Sequence, residues 1–144
     1  MRIFLFFLFV FFYCKSSFAI ETIAKQAIIY DVETNSVIYE KNADELMSPS
    51  SMSKLMTVYY VFKKLKNNEI SLNDKFSVSR KAWKKGGSKM FLNENSKVSI
   101  EDLLKGIIVQ SGNDACITIA EGFSGSEKNF AEELNILAKE IGLK

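Results

Sequence analysis

Two short segments put a candidate hydroxyl nucleophile, an amine base and two further polar groups into one chain. Ser51-Met52-Ser53-Lys54 places a hydroxyl and an amine three positions apart, and Ser111-Gly112-Asn113 adds a second hydroxyl and an amide sixty residues on. The chain contains no histidine. A serine nucleophile here would need another base, and an amine one helical turn away is the natural candidate. On a helix the i, i+3 spacing puts Ser51 and Lys54 on one face. At the helix start, backbone N–H groups and the positive end of the dipole would stabilise an anion developing on the attacked group. A neutral Lys54 amine could then accept the Ser51 proton, with Ser111 as a proton relay and Asn113 holding Lys54 or a substrate carbonyl. Each motif also fits a plainer structure. Ser-x-x-Lys suits a helix start followed by a solvated lysine, and Ser-Gly-Asn suits an inter-helix turn with a cap.

The elements that must position these groups can be read from local pattern. Residues 26–32 and 36–40 are β-branched and aromatic runs around Glu33-Thr34-Asn35, which predicts a β-hairpin. Pro49 suits the entry to a helix running from Ser51 to Lys66. Leu55 to Phe62 is apolar except at Thr57, which predicts a helix buried on all sides, and Asn67-Asn68 ends it. Residues 75–78 and 97–98 read as short paired strands enclosing a loop with Trp83 and Gly86-Gly87. Ser99-Ile100-Glu101-Asp102 resembles a capping box, and Leu103, Leu104, Ile107 and Ile108 follow at helical spacing. Asn113 or Asp114 is the expected N-cap of a further helix to about Glu121. Gly122 to Gly125 is expected to turn, and Ser126 to Glu140 to form a last helix ended by Gly142.

The first nineteen residues have the layout of a secretory signal peptide: Met1-Arg2, an apolar run from Ile3 to Tyr13, and small residues up to a cleavage point after Ala19. The run is shorter than the roughly 18 apolar residues needed for a membrane span. Arg2 and Lys15 are the leader's only charges, so the formal net charge of +2 belongs to it and the remaining chain is neutral. No nucleic-acid partner is therefore expected. The basic clusters at Lys63-Lys64-Leu65-Lys66, Arg80-Lys81 and Lys84-Lys85 read as solvated faces. Cys116 is the one cysteine beyond the leader and cannot form an internal disulfide, so stability must come from a packed core. It is expected to be a small core residue.

The motifs, with Ala27-Ile-Ile-Tyr-Asp31, Pro49-Ser-Ser-Met-Ser-Lys-Leu-Met-Thr57, Ser88-Lys-Met-Phe-Leu92 and Gln110-Ser-Gly-Asn-Asp-Ala-Cys116, resemble the low-molecular-mass penicillin-binding proteins, specifically the serine D-alanyl-D-alanine carboxypeptidases. Gly at position 112 is more similar to these enzymes than to class A β-lactamases. The resemblance implies an α/β (α+β) fold of the β-lactamase/transpeptidase type, an antiparallel sheet on helices with a helical lobe. It also implies roles: Ser51 as the acylated nucleophile, Lys54 as proton acceptor, Ser111 as proton relay and Asn113 in substrate binding, with no metal and no cofactor. The implied partners are peptidoglycan pentapeptides ending D-Ala-D-Ala, with β-lactams as covalent inhibitors, and the implied location is periplasmic. The family's third motif, Lys-Thr-Gly on a downstream strand, does not occur here. Residues 20–144 are thus expected to be the N-terminal part of the peptidase domain, holding the first hairpin and most of the helical lobe. Membrane association would come only through a C-terminal region that this sequence does not contain. A D,D-endopeptidase, a β-lactamase or an inactive penicillin-binding module would share both motifs.

Overall fold

In the computed structural model, residues 20–143 are described, so the leader at 1–19 lies outside them. The chain divides after Ser48 into two compact units. The first contains the predicted hairpin, β1 (Ala27–Asp31) paired antiparallel with β2 (Ser36–Lys41). Its register runs from Ala27 opposite Lys41 to Asp31 opposite Ser36, with an irregularity between Ile29 and Tyr30. The connection is chemically specified. The Asp31 carboxylate accepts from the Glu33 N–H at 2.9 Å and from the Thr34 hydroxyl at 2.6 Å, while Asn35 takes the left-handed φ of +53°. Those bonds, the Thr34 hydroxyl foremost, hold the Asp31 carboxyl below its ordinary range.

The second unit opens with a 3-10 turn, Ser50–Ser53, that runs directly into α1 (Lys54–Lys66). There follow β3 (Lys75–Ser77), α2 (Arg80–Lys84), β4 (Lys97–Ser99), α3 (Ile100–Gln110), α4 (Asn113–Ser124) and α5 (Glu127–Glu140). β3 and β4 pair antiparallel as expected, Lys75 opposite Ser99 and Ser77 opposite Lys97. Between them, α2 forms where only a loop was expected. It is a single turn without apolar periodicity, started by Ser79, whose hydroxyl accepts from the Ala82 N–H at 3.0 Å. The Ser99 cap is real but is half of a capping box. Ser99 Oγ accepts from the Asp102 N–H at 3.1 Å, while the Asp102 carboxylate accepts from the Ser99 hydroxyl rather than from its backbone.

The core of this unit gathers where α1, α3, α4 and α5 meet, with Val61, Ile100, Leu103 and Ile119 fully enclosed. Tyr60 places its ring edge-on against Phe123 and Phe130, with centroids 5.3 and 5.0 Å apart. Two expectations are corrected here. α1 is not buried on all sides: Thr57, Tyr60 and Val61 are enclosed, whereas Leu55 is 70% exposed and Tyr59 and Phe62 are also open. Among the described residues the neighbouring helices pack along one face of it. Nor does the chain turn at Gly122. α4 continues to Ser124, because glycine at 122 makes room for the Phe76 ring, 2.2 Å from where a Cβ would lie. Gly125, at φ +73°, ends the helix.

The lysine clusters behave as solvated faces, pairing at the surface as Lys63–Glu140, Lys64–Glu69 and Lys81–Glu127. Among the described residues no helix is long and apolar enough to cross a membrane.

Candidate active site

The Ser51 side of the groove is built from local structure. Ser51 is exposed and sits in the 3-10 turn rather than in the first α-helical turn. Ser50 precedes it at φ +47°, a left-handed conformation that costs a non-glycine residue of order 1 kcal/mol. Such strain is typical of sites that need one particular presentation. The tight turn also consumes a backbone donor. The Met52 N–H is bonded to Pro49 O at 2.9 Å, so it is not free for an incoming anion. Ser53 Oγ donates to Ser50 O at 2.8 Å.

Lys54, the first residue of α1, projects toward the connection between α3 and α4. Its Nζ donates to Ser111 O at 2.5 Å, to Asn113 Oδ1 at 2.7 Å and to Ser111 Oγ at 3.0 Å. Three of the four residues singled out from sequence are thus in direct contact. Ser51 shares a groove of about 220 Å³ with Lys54, Leu55, Val58, Ile107, Ile108 and Ser111. It is not among the hydrogen-bond partners of Lys54, whose three bonds all go to the corner opposite.

That corner is made by an unusual helix end. Ser111 terminates α3 at φ +53°, ψ +38°, a left-handed position that glycine usually fills. Gly112 N–H returns to Gly106 O at 3.0 Å. Position 112 is tightly packed: a Cβ there would sit 3.1 Å from Asp114 Oδ1 and 3.2 Å from Gly106 O, so the neighbours would have to give by a few tenths of an ångström. α4 then begins at Asn113 with Gly112 in the capping position, and no side chain caps it. The expectation that Asn113 or Asp114 serves as N-cap is therefore overturned: both side chains are drawn into tertiary bonds. Asn113 Oδ1 accepts from Lys54, its Nδ2 donates to Gly86 O at 2.9 Å, and its backbone N–H donates to Ser88 O at 2.8 Å.

Sequence reasoning about chemistry missed the part played by the 86–92 loop. The available signals were the Gly86-Gly87 pair, read only as part of a loop, and Ser88–Leu92, used only for the family resemblance. Gly87 adopts φ +80°, and a Cβ there would lie 2.7 Å from Asn113 Nδ2. Cys116, one helical turn beyond Asn113, is half-buried against the core, as its reading as a small packing residue requires. Burial pushes its thiol up to about 11, against a smaller opposing effect of the Lys54 charge, so the thiolate is scarce at neutral pH.

Residues 14–144 match the family of D-alanyl-D-alanine carboxypeptidases, peptidase family S11. The chain is 40% identical over 121 residues to D-alanyl-D-alanine carboxypeptidase DacF of Bacillus subtilis (strain 168), an alignment covering 84% of this chain and 31% of that protein. The fold is similar to the crystal structure of D-alanyl-D-alanine carboxypeptidase DacD from Francisella tularensis, with TM-score 0.81 and 37% identity over 85% of this chain and 30% of that one. It is also similar to penicillin-binding protein D2 of Listeria monocytogenes in its ampicillin-bound form, with TM-score 0.73 and 32% identity over 84% of this chain and 48% of that one. The chain therefore spans about a third of the length of the curated relatives it matches. Its described part is a partial penicillin-binding/transpeptidase fold, with two small antiparallel sheets and five helices. Matched along almost its whole length, and carrying a lysine joined to a Ser-x-Asn corner, the chain belongs to the D-alanyl-D-alanine carboxypeptidase family.

Proposed function

We propose that this chain supplies the nucleophile-bearing part of a serine D-alanyl-D-alanine carboxypeptidase that trims peptidoglycan stem peptides outside the inner membrane, with residues 1–19 as its export signal. The observation that carries this reading is the bonding of Lys54 Nζ to Ser111 and Asn113, residues 57 and 59 positions away. As an ammonium, Lys54 has three donors for three acceptors. As a neutral amine it keeps two N–H groups and gains a lone pair. Ser111 O and Asn113 Oδ1 can only accept, so they retain the two N–H groups. The lone pair is then left to a hydroxyl, either Ser111 Oγ or the Ser51 Oγ across the groove. The corner thus orients the amine as a base.

In the proposed reaction Ser51 Oγ attacks the carbonyl carbon of the penultimate D-alanine, and its proton passes to Lys54 Nζ. Collapse of the tetrahedral adduct breaks the peptide C–N bond. The departing amine takes a proton from Lys54 through Ser111 Oγ and leaves as D-alanine. Water then attacks the ester, Lys54 again removing a proton, which returns Ser51 and the shortened peptide. The apolar wall of Leu55, Val58, Ile107 and Ile108 suits the small methyl groups of such a peptide. No step calls on a metal or an organic cofactor.

A fluorescent penicillin tests the assignment, since its strained amide would trap the serine as an ester. A labelled tryptic peptide modified at Ser51, with label lost in Ser51→Ala, supports the reading. Label at another residue, or a Ser51→Ala protein that still labels, defeats it. Release of D-alanine from a pentapeptide, compared with cleavage of cross-linked peptides and turnover of penicillin, separates the carboxypeptidase from a D,D-endopeptidase or a β-lactamase. Stable label without any turnover would instead mark a binding module.

A further inference from the structure

We propose that Asp114 is a positioning residue of this site, a buried carboxylate that clamps the 86–92 loop to the start of α4 and so holds the Asn113 amide with Oδ1 toward Lys54. The inference rests on the reading of Ser51, Lys54, Ser111 and Asn113 given above. Asp114 is fully enclosed, at 0% exposure. Burying a carboxylate is unfavourable unless its lone pairs are satisfied, and here neutral amides do so. Oδ1 accepts from the Met90 N–H at 3.0 Å and from the Ala115 N–H at 3.0 Å, and Oδ2 accepts from the Leu92 N–H at 3.1 Å. A helix cap has no need of such burial, and the bonds to residues 90 and 92 lead out of the helix altogether.

Two neighbouring residues thus bind one loop with opposite polarity. Asn113 donates to the loop, to Gly86 O and Ser88 O. Asp114 accepts from it, at Met90 N–H and Leu92 N–H. The contacts fall on alternate residues, 86, 88, 90 and 92, in a segment that turns through left-handed conformations at Gly87 and Phe91. The consequence for Asn113 is directional. With Nδ2 engaged by Gly86 O, Oδ1 must face Lys54. A flipped amide would set an NH2 against the Lys54 amine and an oxygen against a carbonyl oxygen. Gly86 selects the orientation, and Asp114 fixes where the loop carrying Gly86 lies.

The test joins amide hydrogen exchange, read by NMR on the whole chain, to the rate of labelling by a fluorescent penicillin. In the unaltered protein, the Met90 and Leu92 N–H groups and the Asn113 Nδ2 protons are expected to exchange together, through one opening event. In Asp114→Asn, an NH2 faces a backbone N–H and one loop bond is lost. With far-UV circular dichroism and thermal midpoint near those of the parent, the Asn113 side-chain protons should exchange about tenfold faster or more. Labelling should slow by about tenfold to a hundredfold, the usual penalty for a misplaced catalytic geometry. A folded Asp114→Asn protein that keeps the Asn113 protection, or loses it and labels at the parent rate, overturns the proposal. Should that variant fail to fold, the unaltered protein decides: Met90 and Leu92 amides exchanging independently of the Asn113 side chain would remove the clamp. A parent protein that takes no label defeats the functional reading, and the exchange measurement still judges the clamp by itself.

Discussion

Around Ser51 the bonds are short-range: Met52 N–H reaches back to Pro49 O and Ser53 Oγ to Ser50 O, each three residues away. Around Asn113 they reach 27 residues back to Gly86 and 59 back to Lys54, and the adjoining Asp114 reaches 24 back to Met90. The serine is exposed, while the carboxylate behind the corner is wholly enclosed. One side of the groove is therefore a local turn, closed by bonds between residues three apart. The other is a product of packing, in which α3, α4 and the 86–92 loop must all be in place before Lys54 finds its partners. The difference predicts where chemistry and stability separate. Changes on the serine side should affect reaction alone, and changes behind the corner should affect both.

The largest expected effect is the cleanest separation. Ser51→Ala should abolish labelling by penicillin while leaving chemical denaturation within about 0.5 kcal/mol of the parent, because an exposed hydroxyl contributes little to folding. A substantial loss of stability would break the contrast. Leu103→Ala, at a fully buried position on α3, should cost about 2–5 kcal/mol by the same measurement and loosen the corner that α3 ends in. Gly87→Ala attacks the corner from the loop side. Its Cβ would lie 2.7 Å from Asn113 Nδ2 at a φ of +80°, so a cost of about 1–2 kcal/mol in denaturation and slower labelling are expected together.

A pH effect separates the helices from the corner. Glu133 on α5 accepts from the Ser124 and Tyr60 hydroxyls, which hold its carboxyl below the ordinary range. A folded-state value below the unfolded one stabilises at neutral pH, and that contribution is lost as pH falls through the folded value, below the usual Glu range of about 4.3. The thermal midpoint should therefore decline at the acid end of a series between about pH 3 and pH 7, less steeply in Glu133→Gln. An identical decline in both proteins would assign acid sensitivity elsewhere. The smallest effect expected is for Ser53→Ala, which removes one exposed bond to Ser50 O and should shift stability by no more than about 0.5 kcal/mol.

Much of the fold was legible because its signals are local. The β-branched and aromatic runs around Glu33-Thr34-Asn35, the apolar spacing after Ser99 and the start of the last helix at Ser126 each depend on a few neighbouring residues, and each forms where expected. The misreadings share one cause. Gly122 looked like a turn, but its missing side chain serves the Phe76 ring. Asp114 looked like a cap, but its carboxylate serves a loop more than twenty residues away. α1 looked enclosed on all sides, yet burial depends on which neighbours pack against it, and here they take one face.

The sequence by itself determined the family, the Ser51–Lys54 spacing and the presence of a Ser-x-Asn turn, since backbone geometry over three or four residues follows from residue type and cap chemistry. Tertiary structure decided that the Lys54 amine points at Ser111 and Asn113, and that a single amide orientation receives it. Those contacts join positions nearly sixty residues apart, and only the packing of α1 against α3 and α4 brings them within hydrogen-bonding distance.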